Sequence, residues 1–259
     1  MTLRRLTLVA SVLGVVLLLS ACRVDVVVRV DVNANGSGDI TVTATADKDI
    51  VTAEPTIATD LRLEDILNAG WKVQKPKKTS EGGLKLVLSH TFENPATANA
   101  LLAQVSGAKG PFHDLLISRS GKDTNATWSL AGRLEVTGGL EAFVDDKTLN
   151  LLGGAPYAAE VKRSGLDLGD AVAITFEAVL PGKIQATTAN TSNGSLTWRV
   201  PMDGTAIDLA STSENLDIVA NVARVARPFL KLLIALWVFA MLILFGMVIR
   251  AQAKRTPRI

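Results

Sequence analysis

Five valines on alternate positions, Val24, Val26, Val28, Val30 and Val32, leave the segment that carries them little conformational choice. Asp25, Arg29 and Asp31 stand between them. A helix would scatter this pattern around its circumference. A strand sends successive side chains to opposite faces, so the valines face a core and the charges face water. Branching at Cβ also suits the pleated backbone better than the helix. Residues 33–39 carry Asn33, Asn35, Gly36, Ser37 and Gly38 and read as a turn, after which residues 40–46 alternate again with Thr41, Thr43 and Thr45 on one face. The two segments predict a β-hairpin.

The same reading continues along the chain. A short helix is expected after Asp60, with Leu63, Ile66 and Leu67 on one face and Gly70 as its stop. Strands are expected from Trp71 and over residues 84–92, where Leu84, Leu86, Leu88, His90 and Phe92 share a face. Asn94 and Pro95 have the pattern of an N-cap and first helical position, and Gly107 lies beyond the end of that helix. Further strands are expected over 115–119, 126–136, 171–180, 196–200 and 205–210, and the spacing of Ser211 and Glu214 suggests a capping box opening a last helix. Residues 138–154 fit either a short helix or an irregular cover. The expected class is α+β, a mostly antiparallel sheet with a few short helices.

Composition bounds the function. Of the 259 residues, 48% are hydrophobic and 20% charged, which argues against disorder and for membrane-associated segments. The formal charge of +2 is unevenly spread: residues 23–226 hold 19 Lys/Arg and all 25 Asp/Glu, a charge of −6. A domain of that sign has no footprint for a phosphate backbone, so no nucleic-acid partner is expected. One cysteine and two histidines exclude an intrachain disulfide and argue against a metal site built on thiolate or imidazole.

The ends carry the membrane signals. Arg4 and Arg5 precede an apolar run over residues 6–19, too short for an ordinary spanning helix and suited to the core of a signal peptide. The run ends in Leu19-Ser20-Ala21-Cys22, which resembles the lipobox of bacterial lipoproteins. That resemblance implies a signal peptide over 1–21 and a diacylglyceryl group, with chains such as palmitate, on Cys22; no other cofactor is expected. Residues 229–249 form a second apolar run, charged only at Lys231, whose length predicts a single transmembrane helix. The basic tail 250–259 would then lie in the cytoplasm, residues 214–228 would be juxtamembrane, and 22–213 would form an extracytoplasmic domain on the cell membrane's outer face.

Several segments occur in an order that resembles the LppM-type lipoproteins of actinobacteria. They are Cys22-Arg23-Val24-Asp25-Val26, Asn35-Gly36-Ser37-Gly38, Ala69-Gly70-Trp71, Gly110-Pro111-Phe112, Leu180-Pro181-Gly182-Lys183-Ile184 and Leu196-Thr197-Trp198. The resemblance implies an envelope-anchored α+β domain and, as a partner, an envelope lipid or glycolipid such as phosphatidylinositol mannosides. It brings no catalytic motif.

Residue chemistry agrees with a non-enzymatic reading. His90 and His113 are the candidate bases for nucleophilic catalysis, and neither adjoins a Gly-x-Ser-x-Gly elbow. Asp47/Asp49 and Asp145/Asp146 lack the alternating oxygen ligands of a calcium loop and read as solvated turns, so no metal is expected. Lys72, Lys75, Lys77 and Lys78 form the basic cluster of the domain, either the polar rim of a ligand site or a soluble hairpin arm. The expected function is lipid or glycolipid binding in a cavity between sheet and helices, with Leu84, Leu86, Leu88 and Phe92 on its wall. The alternative is a structural module that binds a protein partner in the membrane.

Overall fold

The computed structural model describes residues 23–137 except 62, 108, 123 and 124, then 139 and 142, residues 168–216, and finally 229–234, 236, 237, 241 and 247. Cys22, the signal-peptide segment, residues 143–167 with Asp145 and Asp146, residues 217–228 of the juxtamembrane segment 214–228 and the basic tail lie outside them. The chain divides into two units, Met1–Asn215 and Leu216–Ile259.

In the first unit the valine segment is strand β1 (Val24–Val32), paired antiparallel with β2 (Gly38–Ala46) as the alternation predicts. Gly38 is required there, because a Cβ would meet the Asp31 carbonyl and the Phe92 ring. Three short helices follow: α1 (Lys48–Ala53), α2 (Ile57–Asp60) and α3 (Glu64–Asn68). Next come β3 (Lys72–Lys78), β4 (Leu84–Phe92) and the longest helix of this unit among the described residues, α4 (Pro95–Ser106). The Asn94 side chain accepts a hydrogen bond from the Thr97 amide at 3.0 Å, as its cap role requires. Strands β5 (Phe112–Lys122) and β6 (Asn125–Leu134) form a second hairpin. After α5 (Leu168–Ala171) come β7 (Val172–Val179), β8 (Lys183–Thr187), β9 (Asn190–Ser192), β10 (Ser195–Arg199) and β11 (Ile207–Leu216).

Among the described residues these strands make a seven-stranded sheet, ordered β3-β4-β2-β1-β7-β10-β9, and a four-stranded sheet, ordered β5-β6-β11-β8. In the larger sheet β1 and β7 run parallel and the other recorded pairs are antiparallel. Buried side chains from both sheets form one core with Trp128, Phe176, Ile117 and Leu209. Phe112 of the smaller sheet meets Phe176 of the larger one edge-on at 5.5 Å between ring centroids, and Phe176 in turn meets Trp198 at 6.0 Å. Such pairs contribute beyond their buried area, each by about 0.5–1.5 kcal/mol.

Three expectations are corrected. The class is β-dominated, not α+β with a spanning helix: two sheets carry the core, while the short helices run to only 4–6 residues and α4 to 12. Helices of one turn add little cohesion by themselves, so sheet pairing and sheet-on-sheet packing organise the unit. The expected transmembrane helix over 229–249 is not supported: no helix among the described residues is long and apolar enough to cross a membrane. Residues 235, 238–240, 242–246, 248 and 249 of that run lie outside the described residues. The capping-box reading of Ser211 and Glu214 fails as well. Ser211 and Ser213 are buried in β11, where their hydroxyls donate to the carbonyls of Ala186 and Pro181.

At Ile117 the free edge of β5 is closed by a side chain. Asn99 of α4 donates to the Ile117 carbonyl at 3.0 Å and accepts from the Ile117 amide at 2.8 Å, standing in for a neighbouring strand. Asn99→Ala should leave both backbone groups short of partners and lower stability by about 2 kcal/mol, read from the urea midpoint. Gly38→Ala should destabilise by a further mechanism, steric displacement of β1 and Phe92, at about 1–3 kcal/mol in the same assay.

Candidate functional site

The sheet and its helices enclose an apolar cleft of about 330 Å3. Its floor comes from Val42 of β2 and Leu88 of β4, which stand directly opposite each other in the sheet. One wall is α3, through Ile66 with Ala69 just beyond it; the other is the C-terminal turn of α4, through Gln104 and Val105. Trp71 closes the cleft between them. Its ring is buried, its Nε1 donates to Gln104 Oε1 at 3.3 Å, and it packs edge-on against His90 at 5.4 Å between centroids. Asp65 supplies the charge at the rim.

Local sequence explains this arrangement. Gly70 takes a φ of +89°, which ends α3 and turns the chain into Trp71, just before β3. The backbone amide of Trp71 then donates to the Ile66 carbonyl at 3.2 Å, holding the short helix against the strand. A cleft of these walls takes up apolar matter, with polar groups only at the Trp71–Gln104 bond and Asp65.

The sequence-derived residues are distributed differently. Leu88 lines the cleft, whereas Leu84 and Phe92 are buried in packing and Leu86 is half-buried without reaching it. Val42, Ile66, Ala69, Trp71, Gln104 and Val105 complete it. The apolar side of the helix after Asp60 was the one legible signal for this group.

Lys72, Lys75, Lys77 and Lys78 are all exposed on β3, an edge strand, and do not gather around the cleft. Lys72 pairs with Ser89 and Lys77 with Lys85, on the face away from Leu88. Lys78 pairs with Leu84, about 16 Å along the strand from Val73, the residue opposite Leu88. Together with Pro76 and the register shift between Gln74 and Lys77, these charges have the form of a guarded sheet edge.

The other candidates take structural positions. Asp47 caps α1, accepting from the Ile50 amide at 2.9 Å, and also accepts from the Arg23 amide at 2.6 Å. His90 Nδ1 lies 2.6 Å from the Thr91 carbonyl, and His113 Nε2 lies 3.2 Å from the Glu135 carbonyl. His113 lines a smaller cavity of about 280 Å3 with Ser106 and Asp114, the latter at a φ of +52° in a β5 bulge. The Ser106 hydroxyl there is engaged by Phe112, donating to its carbonyl at 2.8 Å and accepting from its amide at 3.0 Å. Among the described residues no three His, Cys, Asp or Glu side chains converge on a metal-sized site.

No protein-family model matches the sequence, and no curated protein matches it. Among solved structures, the chain is similar to the folded domain of the Mycobacterium tuberculosis LppM protein, determined by NMR, at 11% identity. The alignment covers 76% of this chain and 93% of that domain, with a TM-score of 0.43.

The Trp71–Gln104 bond is the measurable latch of the cleft. Gln104→Leu should move the Trp71 indole N–H resonance while leaving those of Trp128 and Trp198 in place, with a stability change of no more than about 1 kcal/mol.

Proposed function

We propose that this protein is a non-enzymatic, lipid-anchored component of the bacterial cell envelope whose β-rich domain binds a lipid or glycolipid through the cleft between α3, α4 and the larger sheet. The observation that carries this reading is the cleft itself: five apolar side chains and Trp71 enclose about 330 Å3 with a single charged residue, Asp65, at the edge. That size is at the lower end of small-molecule pockets, roughly 300–1,000 Å3. It suits a segment of one acyl chain with the headgroup left outside. At about 0.8 kcal/mol per buried methylene, six methylenes would contribute about 5 kcal/mol before the costs of ordering.

The anchor in this reading is Cys22, at the end of a segment that resembles a lipobox. The ordered series of motifs resembling LppM-type lipoproteins supports an envelope setting and a ligand of the phosphatidylinositol mannoside kind. The hydroxyl that shares the cavity of His113 belongs to Ser106, which Phe112 already holds.

Native mass spectrometry of the full chain purified from its own cells tests the binding. Retained lipid is expected for the wild type and its loss for Ala69→Trp, which adds a ring at an exposed lining position and so leaves the fold intact. Wild-type protein free of lipid under these conditions, with a protein captured on crosslinking, would favour the partner-binding alternative. For the anchor, the mature chain should begin at Cys22 and carry the mass of a diacylglyceryl group, and Cys22→Ser should abolish both; an unmodified chain beginning at Met1 refutes it.

A further inference from the structure

One row on the face of the seven-stranded sheet opposite the cleft is polar across its breadth. Ser89, Thr41, Arg29, Glu177 and Thr197 lie in a row on β4, β2, β1, β7 and β10, each directly opposite the next. At the β9–β10 end this row opens into a depression of about 530 Å3. Of the side chains lining it, Val179 is apolar, while Arg29, Glu177, Ser192, Asn193, Ser195 and Thr197 carry hydrogen-bonding groups.

Two features make it a prepared surface. Arg29 is held rigidly: Nε and Nη2 donate to the two Asp31 carboxylate oxygens at 2.7 and 2.8 Å, and Nη1 donates to Glu177 at 3.1 Å. The hydrogen bond to Asp31, above all, raises its pKa from an already high value, so the guanidinium stays charged. The wall is equally defined. Asn193 and Gly194, with φ of +49° and +80°, form the two-residue loop between paired Ser192 and Ser195, the geometry of a type I′ hairpin that matches strand twist.

The charge balance selects the ligand class. Among the lining residues the Arg29 guanidinium and the Glu177 carboxylate balance to zero, so the site carries no net charge to attract an anion or a cation. Arg29 already occupies the space between Asp31 and Glu177 that a metal ion would need. Each carboxylate keeps lone pairs beyond those that Arg29 uses, and the hydroxyls and the Asn193 amide both donate and accept. A ligand that offers many hydroxyl donors and acceptors, with no charge, satisfies this set.

We infer that the depression over Arg29, Glu177 and the β9–β10 hairpin is a binding site for a neutral polyhydroxylated ligand, a saccharide. The site is separate from the cleft, which lies on the other side of the same sheet. Without an aromatic stacking platform its affinity rests on hydrogen bonds and falls roughly in the millimolar range.

Glucose, galactose and maltose, titrated separately into the isotope-labelled full-length chain and followed by NMR, test the assignment. At least one should produce saturable amide shifts at Asn193, Gly194, Ser195 and Thr197, with Ile66, Trp71 and Val105 unmoved. Asn193→Gly preserves the turn and removes the amide side chain, and Glu177→Gln removes a carboxylate with its shape kept; each should weaken binding roughly fivefold. No saturable shift with any of the three, equal shifts with inorganic phosphate, shifts confined to the cleft, or unchanged binding in both variants would each overturn the inference. Lipid retention in the cleft is read by a different probe, so the two outcomes are independent.

Discussion

The parallel pairing of β1 with β7 is the contact on which the rest of the domain depends. It joins residues separated by 148 positions, with Arg29 facing Glu177 on one side of the sheet and Val28 beside Phe176 on the other. Without it the N-terminal hairpin and the β7–β10 strands would be separate ribbons, each exposing an apolar face. Parallel pairs are slightly weaker per residue than antiparallel ones. Here the deficit is offset from both sides, by the buried Val28, Val30 and Phe176 within and the ion pair of Arg29 with Glu177 outside. A long-range pairing of this kind also implies slow folding, since its loop must close before its contacts form.

The same pairing gives the larger sheet two chemically different faces. Inward side chains of β1, β2, β4, β7 and β10 belong largely to the core or the cleft floor; the outward face carries a row of threonines, serines and charges with valines such as Val27, Val87 and Val179 among them. A binding reading can therefore be drawn on each face without competition for residues. The apolar cleft relies on hydrophobic transfer, which is strong and undirected. The polar depression relies on placed hydrogen bonds, which are weak individually and selective together. Their positions on opposite sides of one rigid sheet mean that a single small ligand cannot engage both.

Local patterning accounts for much of what was read correctly. The valine alternation of β1, the N-cap and Pro95 of α4, and the turn at Pro181-Gly182 are short-range signals, and the structure follows each of them. The misreadings share a cause. Ser211 and Glu214 have the spacing of a cap, yet β6 and β8 recruit that segment as a strand between them, and pairing outweighs a local preference. β8 and β9, at 5 and 3 residues, are too short to show periodicity. The lysines of β3 left a ligand rim and a soluble hairpin arm both open in the sequence, because a strand with a bulge divides near neighbours between two faces.

What the amino-acid sequence determined alone was which side of each strand is greasy, where the long helix of the domain starts and stops, and that acidic charge prevails in the middle of the chain. Periodicity and capping are interactions among near neighbours, so they are written locally. Only the tertiary structure decided that β1 lies beside β7, that Val42 and Leu88 become the floor of a cleft walled by α3 and α4, and that Arg29 reaches Glu177 under the β9–β10 hairpin. Those juxtapositions link residues tens to more than a hundred positions apart, and their choice among alternatives is made by the packing of the whole core, for which no single segment carries the signal.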